Sequence, residues 1–143
     1  MRRYFDYIGK LVEMPGAKIT QLRSGRIRGD VGYTDGCNTL FQGLGADAAK
    51  SALFDVCRAC YADPRSPLWD CRPVNFVHDE IIAEAPEHRA AEAAEELSRI
   101  MVATARRWLP DVRITAEPVL ARRWSKNAES VRDASGRLIP WDC

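Results

Sequence analysis

The sequence predicts an α+β fold, on three observations. Two long alanine-rich stretches, about 38–61 and 87–109, repeat apolar residues at helical spacing. A β-branched run at about 74–83 is interrupted by three ionisable residues, as a hairpin is at its turn. Val112, Ile114 and Ala116 alternate with polar residues, as a third strand would. The expected architecture is a small antiparallel sheet, the hairpin at about 74–83 plus a strand at about 112–117, backed by the two long helices, with a short N-terminal helix.

Each element has its own warrant. Tyr4, Phe5, Ile8, Leu11 and Val12 recur at helical spacing until Met14-Pro15-Gly16 stops them. Lys18 to Leu22 and Ile27 to Val31 flank Arg23-Ser24-Gly25-Arg26, a glycine turn between two short β-prone runs, so a small hairpin with arginines at its tip is expected. From Asn38 to Tyr61 the stripe Phe41, Leu44 or Gly45, Ala48, Ala52, Val56 and Ala59 or Cys60 marks the first long helix, with Asp47 and Lys50 off it. Asp63-Pro64-Arg65-Ser66-Pro67 ends it. Val74-Asn75-Phe76-Val77 and Ile81-Ile82-Ala83 read as paired strands. The second long helix places Ala90, Ala94, Leu97, Met101, Ala105 and Trp108 on its apolar side, and Leu97, Met101 and Trp108 are expected inside. The last 20 residues read as an irregular tail.

At 143 residues the chain is expected to be a single domain, 1–143, long enough to bury a core. Twenty-one Lys and Arg against 20 Asp and Glu exclude a disordered charged tail. No run approaches the roughly 20 apolar residues of a membrane span, and Arg2-Arg3 have no apolar block behind them, so neither membrane nor export is expected and the location read is cytoplasmic. Five cysteines, an odd number, argue against a disulfide framework, and Cys57-Arg58-Ala59-Cys60 lies in a helical pattern without a second CxxC. The near-neutral sum conceals segregation. Residues 1–28 carry seven cations against two acids, and residues 78–100 seven acids against two arginines.

Core packing does not explain His78, Asp79 and Glu80 at a hairpin turn. Neighbouring carboxylates repel unless a cation lies beside them, and hard oxygen ligands suit Mg²⁺. A polar turn is the plainer reading of the same three residues. Gly43-Leu44-Gly45-Ala46-Asp47-Ala48 matches GxGxxA, with Asp63 twenty residues on. A dinucleotide site also needs a buried strand directly before it, and Asp35-Gly36-Cys37-Asn38-Thr39 is not one. Neither His78 nor His88 belongs to a nucleophile elbow or a zinc-binding pair.

Val74-Asn75-Phe76-Val77-His78-Asp79-Glu80-Ile81-Ile82 resembles the metal-binding hairpin of the palm in family A DNA polymerases. Upstream, Asn38-Thr39-Leu40-Phe41-Gln42-Gly43 through Ala46-Asp47 to Lys50 is similar to that family's Asn, Gln-Gly, Ala-Asp and Lys on a long helix. Thr20-Gln21-Leu22-Arg23-Ser24-Gly25-Arg26-Ile27-Arg28 resembles its Thr-x-x-Gly-Arg-x-Arg turn. The tail, Arg123-Trp124-Ser125-Lys126-Asn127-Ala128-Glu129 through Leu138-Ile139-Pro140-Trp141, looks like the phage-type C-terminus. Where many members carry Arg four residues before the Asn, this chain has Thr34. The family's first catalytic Asp, in an Asp-Tyr-Ser-like strand, and its nucleotide-binding helix are not found, so the chain is read as the last fifth or quarter of a polymerase.

The resemblance implies that Asp79 binds the catalytic Mg²⁺ ions, that Glu80 tunes the site and that His78 stands near the primer 3′ end. It also implies that Asn38 and Gln42 touch the minor groove of primer-template DNA. Phosphoryl transfer uses two metals about 3.5 to 4 Å apart, which one Asp cannot hold, so an Asp outside this chain would complete the site. Arg23, Arg26 and Arg28 fit sequence-independent phosphate contact. The expected partners are duplex DNA, dNTP in the complete enzyme, and the upstream part of the polymerase if another chain supplies it. The competing expectation is a non-catalytic duplex-binding or structural remnant of such an enzyme.

Overall fold

A computed structural model describes residues 2–142. In chain order it contains α1 (Arg2–Leu11), β1 (Ile19–Thr20), β2 (Ile27–Arg28), α2 (Tyr33–Tyr61), β3 (Arg72–Val77), β4 (Glu80–Glu84), a 3₁₀ turn (Glu87–Arg89), α3 (Ala90–Trp108), β5 (Val131–Arg132) and β6 (Leu138–Ile139). The strands pair antiparallel as β1–β2, β3–β4 and β5–β6, so the α+β class holds, with three two-stranded ribbons among the described residues. The chain divides after Ala48 into two compact units.

In the first unit, ten-residue α1 is too short to persist alone in water. Ile8, fully buried, anchors it to Ile19 and Val31, with Tyr4, Leu11, Val12, Cys37 and Leu40 around them. The start of α2 lies five residues earlier than expected, because Gly36 acts as a contact rather than a breaker. A Cβ there would stand 2.8 Å from Cγ2 of Ile8. The buried side of this half of α2 also differs from the expected stripe. Thr39 and Asp47 are buried, whereas Phe41 is 67% exposed. The β1–β2 ribbon covers the Thr39–Asp47 side through polar bonds, which an apolar-stripe argument does not register.

In the second unit, Val56, Cys60, Leu68, Cys71, Ile81, Ala93 and Ile100 form one core, with Leu97 and Met101 packed against it. The buried line of α3 runs through Ala93, Ile100 and Thr104, rotated from the expected one, and Leu97, Met101 and Trp108 are each only half-buried. Thr104 lies on this rotated line. Its hydroxyl donates to Asp55 at 2.7 Å, so a polar residue is the most enclosed on the helix.

Two further expectations are corrected. Residues 112–117 form no strand. Ile114 and Ala116 are half-buried, and the Ala116 carbonyl accepts the Ser98 hydroxyl of α3 at 2.6 Å. Alternation records that one face is covered, and here a helix side chain rather than a sheet edge meets the segment. The tail is not wholly irregular either. β5 and β6 close around Asp133, whose Oδ1 accepts from the Ser135 hydroxyl and from the amides of Ser135 and Arg137, with Gly136 at φ 83°. Leu138 then buries itself. Cys143 lies outside the described residues.

Candidate functional site

The β3–β4 hairpin runs in register from Arg72↔Glu84 to Val77↔Glu80, with an irregularity between Pro73 and Asn75. Phe76 and Ile81 face each other across it and both meet the core of the second unit, which fixes the ribbon. A one-residue slip would turn that pair outward, so the register is strongly specified. His78 and Asp79 are then the two-residue turn, and His78 takes φ 55°, the left-handed backbone that primed hairpin turns require at their first central position. His78, Asp79 and Glu80 are all exposed, and their side chains have no hydrogen bond or ion pair among the described residues.

Asp79 and Glu80 offer hard oxygens, the donor type Mg²⁺ takes, commonly from one or two carboxylates with water and phosphate completing the shell. No group of three or more His, Cys, Asp or Glu that could hold a metal occurs among the described residues. The chain's donors therefore fit a share of a magnesium shell rather than a self-contained centre.

In the first unit, Asn38 and Gln42 stand exposed one turn apart on α2. Of the three arginines around the β1–β2 ribbon, Arg26 and Arg28 are anchored to α2 rather than left at a solvated tip. Arg26 pairs with Asp47 at 2.9 Å, and Ser24 donates to the same carboxylate at 2.7 Å. Arg28 bonds Asp35 and the Thr39 hydroxyl, each at 3.0 Å. Arg23 takes φ 68° beside Gly25 at φ 68°. Gln21, 3% exposed, donates to the Leu40 carbonyl at 2.8 Å and fills the space at Gly43, where a Cβ would lie 2.2 Å from its Oε1. The Thr-Gln…Gly-Arg-x-Arg and Asn…Gln-Gly…Ala-Asp stretches thus meet in one contact, in which the ribbon holds the Thr39, Gly43 and Asp47 side of α2 and leaves Asn38 and Gln42 exposed on another.

The weaker motifs resolve as structure. GxGxxA lies inside the uninterrupted α2, ten residues past its start rather than directly after a strand. Cys60 is buried, and burial, then Cys71 and Cys57 beside it, push its thiol up to about 11, so it stands as a neutral thiol in the core at neutral pH.

The family model for DNA polymerase family A matches residues 17–126. DNA polymerase I of Aquifex aeolicus (strain VF5) is 35% identical over 97 residues, which cover 66% of this chain and 16% of that protein. No solved structure matches. An α+β chain with a carboxylate-tipped hairpin and an amide-bearing helix face is the class described by these features, and the matched span includes both. The chain belongs to DNA polymerase family A.

Sequence reasoning puts His78, Asp79 and Glu80 at a hairpin turn, the three arginines at a basic turn, and Asn38 and Gln42 on a long helix without saying which face. It misses Phe41, which it assigns to the core, and the network in which the Asp55 carboxylate accepts from both the Thr104 hydroxyl and the Arg107 guanidinium. Phe41 had a signal, since it lies three residues after Asn38 and so stands beside it on the helix surface.

Proposed function

We propose that the chain serves as the C-terminal palm portion of a phage- or bacterial-type DNA-directed DNA polymerase acting in DNA replication in the cytoplasm. Asp79 contributes a carboxylate to Mg²⁺ and Glu80 tunes that site. His78 stands by the primer 3′ end, Asn38 and Gln42 meet the minor groove, and Arg23, Arg26 and Arg28 meet phosphates. Within family A membership, the observation that carries this reading is the turn itself. A pair of exposed carboxylates, with no hydrogen bond or ion pair among the described residues, is held on a core-anchored hairpin, where both are open to a cation. When bound, Mg²⁺ would neutralise charge developing on the transferred phosphate. A second Asp and the nucleotide-binding helix come from outside this chain, which spans 16% of the relative's length.

The test supplies the remaining polymerase segment together with this chain and measures nucleotide incorporation. Asp79→Asn keeps shape and removes charge at an exposed position, so the melting temperature should hold while the rate falls at least about a thousandfold, worth about 4 kcal/mol. Glu80→Gln should cost much less. Binding of Mn²⁺, read by paramagnetic broadening of resonances at 78–80, should weaken in parallel. Unchanged incorporation in Asp79→Asn would sink the assignment.

One observation favours a second reading, a non-catalytic duplex-binding remnant: among the described residues Asp79 and Glu80 belong to no group of three or more metal-donor side chains. That reading predicts duplex binding with no incorporation under any complementation.

A further inference from the structure

Asn38, Phe41, Gln42 and Gly45 fall at i, i+3, i+4 and i+7 of α2, which places them on one side of the helix, and all four are exposed. Phe41 leaves 67% of its surface in water, in the middle of this stripe. It is also held in place. Its ring lies 5.0 Å from that of Tyr4, tilted by 53°, and Tyr4 packs edge-on against Phe5 at 5.5 Å. Tyr4 is itself pinned, since its hydroxyl donates to the Cys37 carbonyl at 2.7 Å. An exposed aromatic ring braced on one side has less rotamer freedom to lose on binding than an unbraced one, and rigid aromatic anchors act in this way in interfaces. At the end of the stripe Gly45 carries no side chain, and nothing lies within 4 Å of where a Cβ would stand, so the helix surface is open to close approach.

The surroundings select the occupant. Arg2, Arg3 and Lys10 of the adjoining α1 make no ion pair among the described residues. Two amides, an apolar ring between them and unpaired cations nearby are complementary to a polyanion with hydrogen-bond acceptors along an apolar edge. The minor groove of duplex DNA has that composition: base acceptors shared by both orientations of A·T, flanked by sugar edges and phosphates. Proteins that read this groove combine Asn, Gln or Arg with inserted apolar side chains.

We propose that Phe41 is a minor-groove contact, lying against the sugar edges of duplex DNA between the amides of Asn38 and Gln42, with Tyr4 as its brace. This rests on the duplex-binding part of the function proposed above and adds to it an apolar contact and the first helix. The contact is indifferent to sequence, because sugars are the same at every step. It adds affinity without adding charge, and that property makes it separable from the phosphate contacts.

The experiment measures duplex affinity of the full chain by fluorescence anisotropy between about 50 and 200 mM salt, using a blunt duplex of mixed sequence and the matching single strand. Phe41→Ala should weaken duplex binding about five- to tenfold with the slope of log affinity against log salt unchanged, since no counterion release is lost. Phe41→Leu should retain most of the affinity. Tyr4→Phe, which removes the pin and keeps the ring, should fall between wild type and Phe41→Ala. Arg2→Ala with Arg3→Ala should instead flatten the salt slope. If Phe41→Ala binds duplex as wild type does while Asn38→Ala or Gln42→Ala binds weakly, the proposal is overturned and the duplex reading stands. If Phe41→Ala abolishes self-association in sedimentation without changing duplex affinity, the ring is a protein contact and the proposal is likewise overturned. Equal loss on the single strand would replace groove contact by base stacking. A wild-type chain that binds no duplex removes the underlying reading and this inference together.

Discussion

Gly43 carries no side chain, and the space a methyl group would need is filled by the amide of Gln21, 3% exposed and fastened to the Leu40 carbonyl. Gly43→Ala should therefore cost about 1 to 3 kcal/mol through overpacking. Shortening the obstructing side chain in the same protein, Gln21→Ala with Gly43→Ala, should destabilise by less than the two single changes added together, as urea titration would show. Asp55 offers a second test at this scale. Burial pushes its carboxyl up, but the Thr104 hydroxyl, then Arg107 and Arg58, outweigh burial and hold it below the ordinary carboxylate range. A depressed folded pKa gives stability that is present above the unfolded value, near 3.9, and lost as pH falls through the folded one. The urea midpoint should accordingly fall with acid below about pH 4 in the wild type, more steeply than in Asp55→Asn. Thr104→Val should cost about 1 kcal/mol at neutral pH. A pH profile identical in wild type and Asp55→Asn would remove Asp55 from acid unfolding. What was legible at this scale was charge at a turn and amides on a helix. A threonine buried by its hydrogen bond to a carboxylate was not, because hydropathy counts Thr104 and Asp55 as surface.

Among the elements, the β3–β4 hairpin was the most legible, because two β-branched runs with only three polar residues between them leave almost no choice of register. Its turn makes a prediction independent of function. His78 holds φ 55°, which a β-branched side chain tolerates poorly, so His78→Val should destabilise by about 1 to 2 kcal/mol, whereas His78→Gly should be neutral or stabilising. Denaturant midpoints that coincide for the two variants would show that the turn relaxes elsewhere. The long helices were legible as helices and less so in their faces. On α2 the apolar stripe predicts the second half, where Ala52, Val56 and Cys60 are buried, and fails in the first, where the β1–β2 ribbon is held by Arg26–Asp47, Arg28–Asp35 and Gln21. Periodicity records oil and not ion pairs. The missing strand at 112–117 failed for a related reason: an alternating run needs one covered face, and the Ser98 hydroxyl of α3 reaches the backbone where a neighbouring strand was expected.

For the chain as a whole, a net charge of +1 conceals seven cations in residues 1–28, and the ion pairs decide how many of them can act on a polyanion. Arg26 and Arg28 are each neutralised by an acid on α2, while their side chains remain about half exposed, at 48% and 53%. They can still donate a hydrogen bond to a phosphate, but binding there releases fewer counterions, since the local charge is already balanced. Arg2, Arg3, Lys10 and Lys18 make no ion pair among the described residues. If those four supply the electrostatic term of the proposed duplex binding, the slope of log affinity against log salt should be about −3 to −4, against about −6 if all seven cations contribute. Arg26→Ala separates positioning from charge. It breaks the tie to Asp47 and leaves that carboxylate, with 9% of its side chain exposed, without its cation, so stability should fall by about 1 to 3 kcal/mol while the slope changes by less than one unit. Anisotropy titrations across the salt range, paired with denaturant melts, give both numbers for the same sample. A slope near −6 that drops by a full unit in Arg26→Ala would mean that the guanidinium leaves Asp47 for phosphate on binding, and that the ribbon acts as a charge donor rather than as the support of the α2 face.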